Sequence, residues 1–172
     1  NKDGWLNKEE RALAREEVQT NRPQGGRGGG FGRGGRGNAT PPSAGKTLSP
    51  NAVPVGGDKP LYDRGTLRTV FLEFENEDWE KELEAFHNTD VEVPATLTID
   101  RKVFKNVGVS FRGASSYMMV PTGYKRSFNI SVDMADAKQR VLGYKTLNLL
   151  NSNGDPTFFR TMLYSQIAEQ YL

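Results

Sequence analysis

The chain of 172 residues has no cysteine and a single histidine. Without thiols it can form neither a disulfide nor a thiolate zinc site. That lack does not locate the protein, since many bacterial secreted proteins have no cysteine. No apolar run approaches the roughly 20 residues that a bilayer-spanning helix needs, and no signal peptide is visible. Charge of one sign is also scarce. With 23 Lys and Arg against 21 Asp and Glu, the formal net charge is +2, too small to predict nucleic-acid binding by the whole chain. Glycine and proline are plentiful, at 19 and 9 residues, but they concentrate before residue 61. About 110 residues are left to build one core. The chain opens on Asn1, and residues 168–172 sit inside an uncapped helical pattern. The expectation is therefore a fragment cut at both ends.

The most informative stretch is residues 107–133, VGVSFRGASSYMMVPTGYKRSFNISVD. Val107, Val109 and Phe111 alternate with Gly108, Ser110 and Arg112. Phe128, Ile130 and Val132 alternate with Ser127, Asn129 and Ser131. This period of two predicts two strands buried on one face. Between them lies a small-residue turn, Arg112-Gly113-Ala114-Ser115-Ser116, and the second strand is expected to open with Lys125-Arg126-Ser127. Backbone N–H groups on a closely approachable turn, joined to a fixed cation, are what a phosphate site requires. A polar hairpin turn flanked by solvated basic residues is the competing reading.

Three ordered motifs add a resemblance. FRGASS, KRSFNISVD and GYKTLNLLNSNGDPTFFRTMLYSQIA together resemble the CotH family of spore-coat-protein-H-like atypical kinases. The family pattern is a G-V-x-F-R-G-x-S-S turn, a K-[KR]-S strand and an L-N-L-L-N…D-P-[ST]-x-x-R helix start. The likeness runs from about residue 61 to the last residue. It implies a secreted or envelope-associated kinase-like fold that binds ATP with Mg2+ or Mn2+ and phosphorylates Ser or Thr of a protein. The family's metal-binding acidic residues lie downstream of these motifs, so the chain alone is expected to be inactive.

By this resemblance Lys125 is the catalytic lysine that neutralises nucleotide phosphates, with Arg126 as its rival, because a one-residue slip exchanges the two. Arg112, Gly113, Ser115 and Ser116 would cradle phosphate; for Arg112 the alternative is an ion pair with a carboxylate such as Asp133. Arg160, in the first turn of the last helix, opposes the helix dipole and so calls for a phosphate or an acidic side chain. Glu169 is a weaker candidate partner for Lys125. Asn148, Asn151 and Asn153 could orient loops or ligands, although forming turns is the simpler account.

Residues 1–10, NKDGWLNKEE, look like an EF-hand loop, D-x-[DN]-x-[DN]-G-x5-E, lacking its first two positions. In that frame Asn1 and Asp3 are side-chain ligands and Gly4 is the turn glycine. Trp5 offers its carbonyl, Asn7 holds a water, and Glu10 is the bidentate carboxylate for Ca2+. The alternative is a solvated helix start capped by Asp and Asn, and the helix is expected over residues 8–18. Residues 20–60 read as a flexible linker. Its GGRGGGFGRGGRG tract resembles a short RGG box, and Gly45-Lys46-Thr47 fails as a P-loop for want of a preceding strand.

From residue 61 the expected class is α+β, a mainly antiparallel sheet with flanking helices compatible with a kinase-like N-lobe. Strands are expected at 67–74, 93–99, 102–111 and 141–150, with a hairpin across Asp100-Arg101. Asn76 is expected to cap a helix through Trp79, Leu83 and Phe86. His87 reads as a surface residue just past it. Asp155 with Pro156 predicts a helix start, and Phe159, Leu163, Ile167 and Tyr171 would then form a core-facing stripe. Three functions compete: the CotH-like kinase, a non-catalytic calcium-dependent envelope or spore-coat binding protein, and an RNA binder using the RGG-like tract.

Overall fold

A computed structural model describes residues 4–21, 43 and 45–171. It has an α+β architecture built on a five-stranded antiparallel sheet in the order β1-β2-β3-β4-β5. The strands are β1 (Val70–Phe74), β2 (Val93–Ile99), β3 (Lys102–Phe111), β4 (Phe128–Ser131) and β5 (Thr146–Leu149). The described helices are α1 (Lys8–Asn21), α2 (Trp79–Ala85), α3 (Ser115–Met118) and α4 (Arg160–Ala168). No helix among the described residues is long and apolar enough to cross a membrane. Asn1, Asp3 and the Gly/Arg-rich tract of residues 25–37 lie outside the described residues.

The β2–β3 hairpin forms where the alternation predicted it. Asp100 and Arg101 both take positive φ, 50° and 61°, the twist that a two-residue hairpin turn demands. Neither is glycine, so this backbone needs support. The Asp100 carboxylate supplies it by accepting from the Gly56 N–H at 2.8 Å and from Arg68 Nε at 2.7 Å. Arg68 also donates to the carbonyls of Lys59, Pro60 and Leu61. Residues at the end of the glycine-rich segment are thereby tied to the sheet. β1 begins at Val70 rather than at Leu67, because Val70 pairs with Ile99, the last residue of β2, and residues 67–69 run past the end of that strand.

One face of the sheet is apolar. Leu97, Val107, Val109 and Ile130 are fully buried and pack with Leu83 of α2 and with Phe86 just past its end. Phe74 stacks on Trp79 at 4.8 Å between centroids. Asn76 does not cap α2; its Nδ2 donates instead to the Glu82 carboxylate at 3.0 Å, and Asp78 occupies the cap position. On the opposite face Ser110, Asn129 and Asn148 align across three strands.

Three further expectations need correction. The 141–150 strand is interrupted, because Val141 and Tyr144 close a tight turn on each other with Leu142 and Gly143 at positive φ. The last helix starts at Arg160, not Pro156. The Asp155 carboxylate accepts from the Thr157 N–H and hydroxyl and from the Arg160 N–H, which turns residues 155–159 into a loop before the helix. The stripe expected to face the core is exposed: Phe159 57%, Leu163 52% and Ile167 59%, with Tyr171 more so. Helical spacing shows that residues share a face, not what that face meets.

The N-terminal helix is joined to this body by an element the sequence did not announce. Arg11 is 1% exposed. Its guanidinium meets Glu82 at 2.7 Å, Glu75 at 2.9 Å and the Leu6 carbonyl at 3.0 Å. A buried charge is tolerable only when paired and hydrogen-bonded to this degree.

Candidate functional site

The candidate site lies where β3 ends and β4 and β5 come alongside. Arg112, one residue past β3, donates its N–H to the Ser127 carbonyl at 2.9 Å. Its guanidinium donates to Asn148 Oδ1 on β5. The expected ion pair with Asp133 is not made; Asp133 faces Arg140 at 3.7 Å and Lys145 at 3.9 Å. Gly113 has φ +85°, and a Cβ there would collide with Ser116 Oγ. Only glycine fits this turn without strain. Ser115 and Ser116 open the short α3 rather than a loop.

The Lys125-Arg126-Ser127 segment departs from the expected pattern. It precedes β4 instead of opening it, and the alternation that would put Lys125 and Ser127 on one face is lost. Lys125 is exposed while Arg126 and Ser127 are buried. Partners explain the change. Arg126 turns inward to Glu84 of α2 at 2.6 Å and to the Val120 carbonyl at 3.0 Å. Its guanidinium also lies over the rings of Tyr117 and Phe111, at 4.4 Å and 5.1 Å from their centroids, a cation–π arrangement. Its charge is spent on the fold, so Arg126 is not the exposed rival that the sequence offered. The Lys125 ammonium meets no partner among the described residues.

Helix α2 holds the connecting segment 113–126 at two more points. Glu80 accepts from the Gly123 N–H at 2.8 Å, and Glu84 accepts from the Thr122 hydroxyl at 2.6 Å. Sequence reasoning missed both glutamates, because an acidic face on a short helix reads as solvated. His87 stacks on Tyr117 at 3.6 Å between centroids. Burial lowers its pKa below the ordinary imidazole value; a hydrogen bond with the Gly113 backbone opposes that shift, and the Arg126 charge reinforces it.

The asparagine run closes the site. Asn151 Nδ2 donates to the Lys125 carbonyl at 2.9 Å, and Ser127 Oγ donates to Asn151 Oδ1 at 3.1 Å. Arg160 does not reach this cluster. Its N–H donates to Asp155 at 2.9 Å and its Nε lies 3.6 Å from the same carboxylate, so its partner is the acidic side chain. Contact with Arg160 holds the Asp155 carboxyl low, after the larger effect of the Thr157 hydroxyl. Glu169 pairs with Arg64 at 2.6 Å, not with Lys125.

At the N-terminus Gly4 takes φ +87°, as a sharp loop turn requires. Asn7 and Glu10 bond reciprocally: the Glu10 N–H donates to Asn7 Oδ1 at 3.0 Å and the Asn7 N–H to Glu10 Oε2 at 2.9 Å. This is a capping box for α1, and it uses one oxygen, Oε2, of the carboxylate assigned to calcium. Trp5 lines a cavity of about 410 Å³ with Asp90, Glu92 and Met134. Among the described residues no group of three or more His, Asp or Glu side chains is arranged to hold a metal ion.

No protein-family model matches the chain, and neither a curated protein nor a solved structure matches it.

Proposed function

We propose that this chain supplies the phosphate-binding part of a CotH-like protein kinase, gripping the phosphates of ATP between Lys125 and Arg112. One observation carries the reading. The three sequence motifs behind the resemblance lie on or beside successive strands, β3, β4 and β5, and hydrogen bonds join them at one end of the sheet. Arg112 belongs to the first, Lys125 and Ser127 to the second, Asn148 and Asn151 to the third. A kinase needs its phosphate-binding groups brought together in this way, because phosphoryl transfer depends mainly on positioning and charge stabilisation.

In this reading Lys125 is the mobile point charge on the phosphates and Arg112 the planar donor beside it. The glycine-specific turn at Gly113 lets the Ser116 side chain lie against the backbone beside Arg112. ATP supplies the transferable phosphoryl group when bound. Magnesium is assigned no ligand among the described residues, so the claim for this chain is binding rather than turnover. Calorimetric titration with MgATP tests it. Wild-type chain should bind, and Lys125→Ala should weaken binding about tenfold or more, the usual worth of one charged contact to a ligand. Equal affinity in the two proteins would refute the assignment.

A further inference from the structure

We infer that Asn148 and Asn151 are positioning residues that aim the two cations of the site at one anion, Asn148 through the Arg112 guanidinium and Asn151 through the Lys125 backbone. This inference rests on the phosphate-binding reading above.

Lys125 lies outside the sheet ladder, because β4 starts only at Phe128. Its peptide unit needs another anchor, and the Asn151 side chain provides one through Nδ2 and the Lys125 carbonyl. The amide orientation follows from the surrounding network. Asn151 Oδ1 accepts from Ser127 Oγ and from the Asn153 N–H, both at 3.1 Å. The Ser127 hydroxyl in turn accepts from the Asn151 N–H at 3.1 Å. A flipped amide would set two donors against each other at Asn153. Nδ2 is therefore committed to Lys125. On the other flank Arg126 is locked to Glu84 and Val120. The segment is held on both sides, while its one exposed cation meets no partner among the described residues.

Asn148 does the same for Arg112 from an exposed position on β5, which is an edge strand of the sheet. The chemistry of its side chain matters here. An amide oxygen orients a guanidinium without neutralising it, whereas a carboxylate would form a bidentate pair and compete with an incoming phosphate. Asn148 orients the Arg112 guanidinium without cancelling its charge, and Asn151 fixes the backbone that carries Lys125, an arrangement that suits an anion site. A purely structural contact to Arg112 would do as well or better with an acid at position 148, whereas an acid at position 151 could not donate to the Lys125 carbonyl.

The test uses the whole chain, MgATP as the probe, and thermal unfolding beside every affinity. Asn148→Asp should keep or raise the unfolding temperature yet bind MgATP about tenfold more weakly, because the new carboxylate occupies Arg112. Unchanged affinity in that variant overturns the inference. For Asn151 a double-mutant cycle isolates the route of action. Asn151→Ala should weaken binding, and Lys125→Ala/Asn151→Ala should lose no more than Lys125→Ala alone. Additive losses would show that Asn151 acts independently of Lys125 and would contradict the claim. Asn151→Ser serves the same cycle should the alanine variant not fold. Failure of the underlying reading looks different: wild-type chain and Lys125→Ala would then give the same MgATP affinity before either asparagine is changed.

Discussion

Two buried or half-buried residues show how single side chains set the behaviour of the molecule. Arg11 is enclosed by Glu82, Glu75 and the Leu6 carbonyl, and Glu82 is itself 1% exposed. Removing one partner of such a pair strands the other charge. Arg11→Ala should therefore cost about 3–5 kcal/mol in urea unfolding. Arg11→Met with Glu82→Leu should recover most of that loss, because both buried charges are then removed and Glu75, whose side chain is half exposed, is left to water. His87 gives a pH signature. Its folded-state pKa is lowered by burial, and by Arg126 against the opposing bond to Gly113, so the unfolded chain takes up the proton first. Stability should fall as pH drops through the ordinary imidazole value of about 6.5 and level off below the folded value. Thermal unfolding of wild type and His87→Phe between neutral and mildly acidic pH checks this; the variant should lack that component of the slope.

At the scale of elements, the contrast lies between α2 and α4. Leu83 of α2 is 2% exposed within the core cluster, whereas Leu163 of α4 is 52% exposed. Leu83→Ala should destabilise the fold by about 2–5 kcal/mol. Leu163→Ala should change it by no more than about 0.5 kcal/mol. A large effect from Leu163 in unfolding experiments would mean that α4 packs against the body. These two helices also mark what was legible in the sequence. Sequence reading located β2 and β3 to the residue, although burial alternates along neither: β2 is buried almost throughout, and β3 is buried only over Val107–Val109. The same method placed Phe159, Leu163 and Ile167 on one helix face but could not say what lay opposite. The start of α4 was misread because Asp155 was taken as a cap one residue before the helix, when its carboxylate ties a five-residue loop. Lys125 and Ser127 lost their shared face because long-range partners, Glu84 and Asn151, overrode local alternation. No spacing rule reports a partner 24 or 42 residues away in the chain.

The whole molecule is a meander of five strands with α2 packed on its apolar face and α1 attached to α2 through Arg11. Its other end gathers Arg112, Lys125, Asn148 and Asn151 from three motifs. Helix α2 touches both regions, since Glu82 receives Arg11 and Glu80 and Glu84 hold the segment leading to Lys125. The central claim is that this end of the sheet binds phosphate. Amide chemical-shift mapping during a MgATP titration tests it most directly. The account predicts that the largest shifts cluster at residues 112–116, 125–127 and 148–151. Shifts centred instead on a second crevice, lined by Val55, Asp58, Arg140 and Leu142, or no saturable shifts at all, would contradict it.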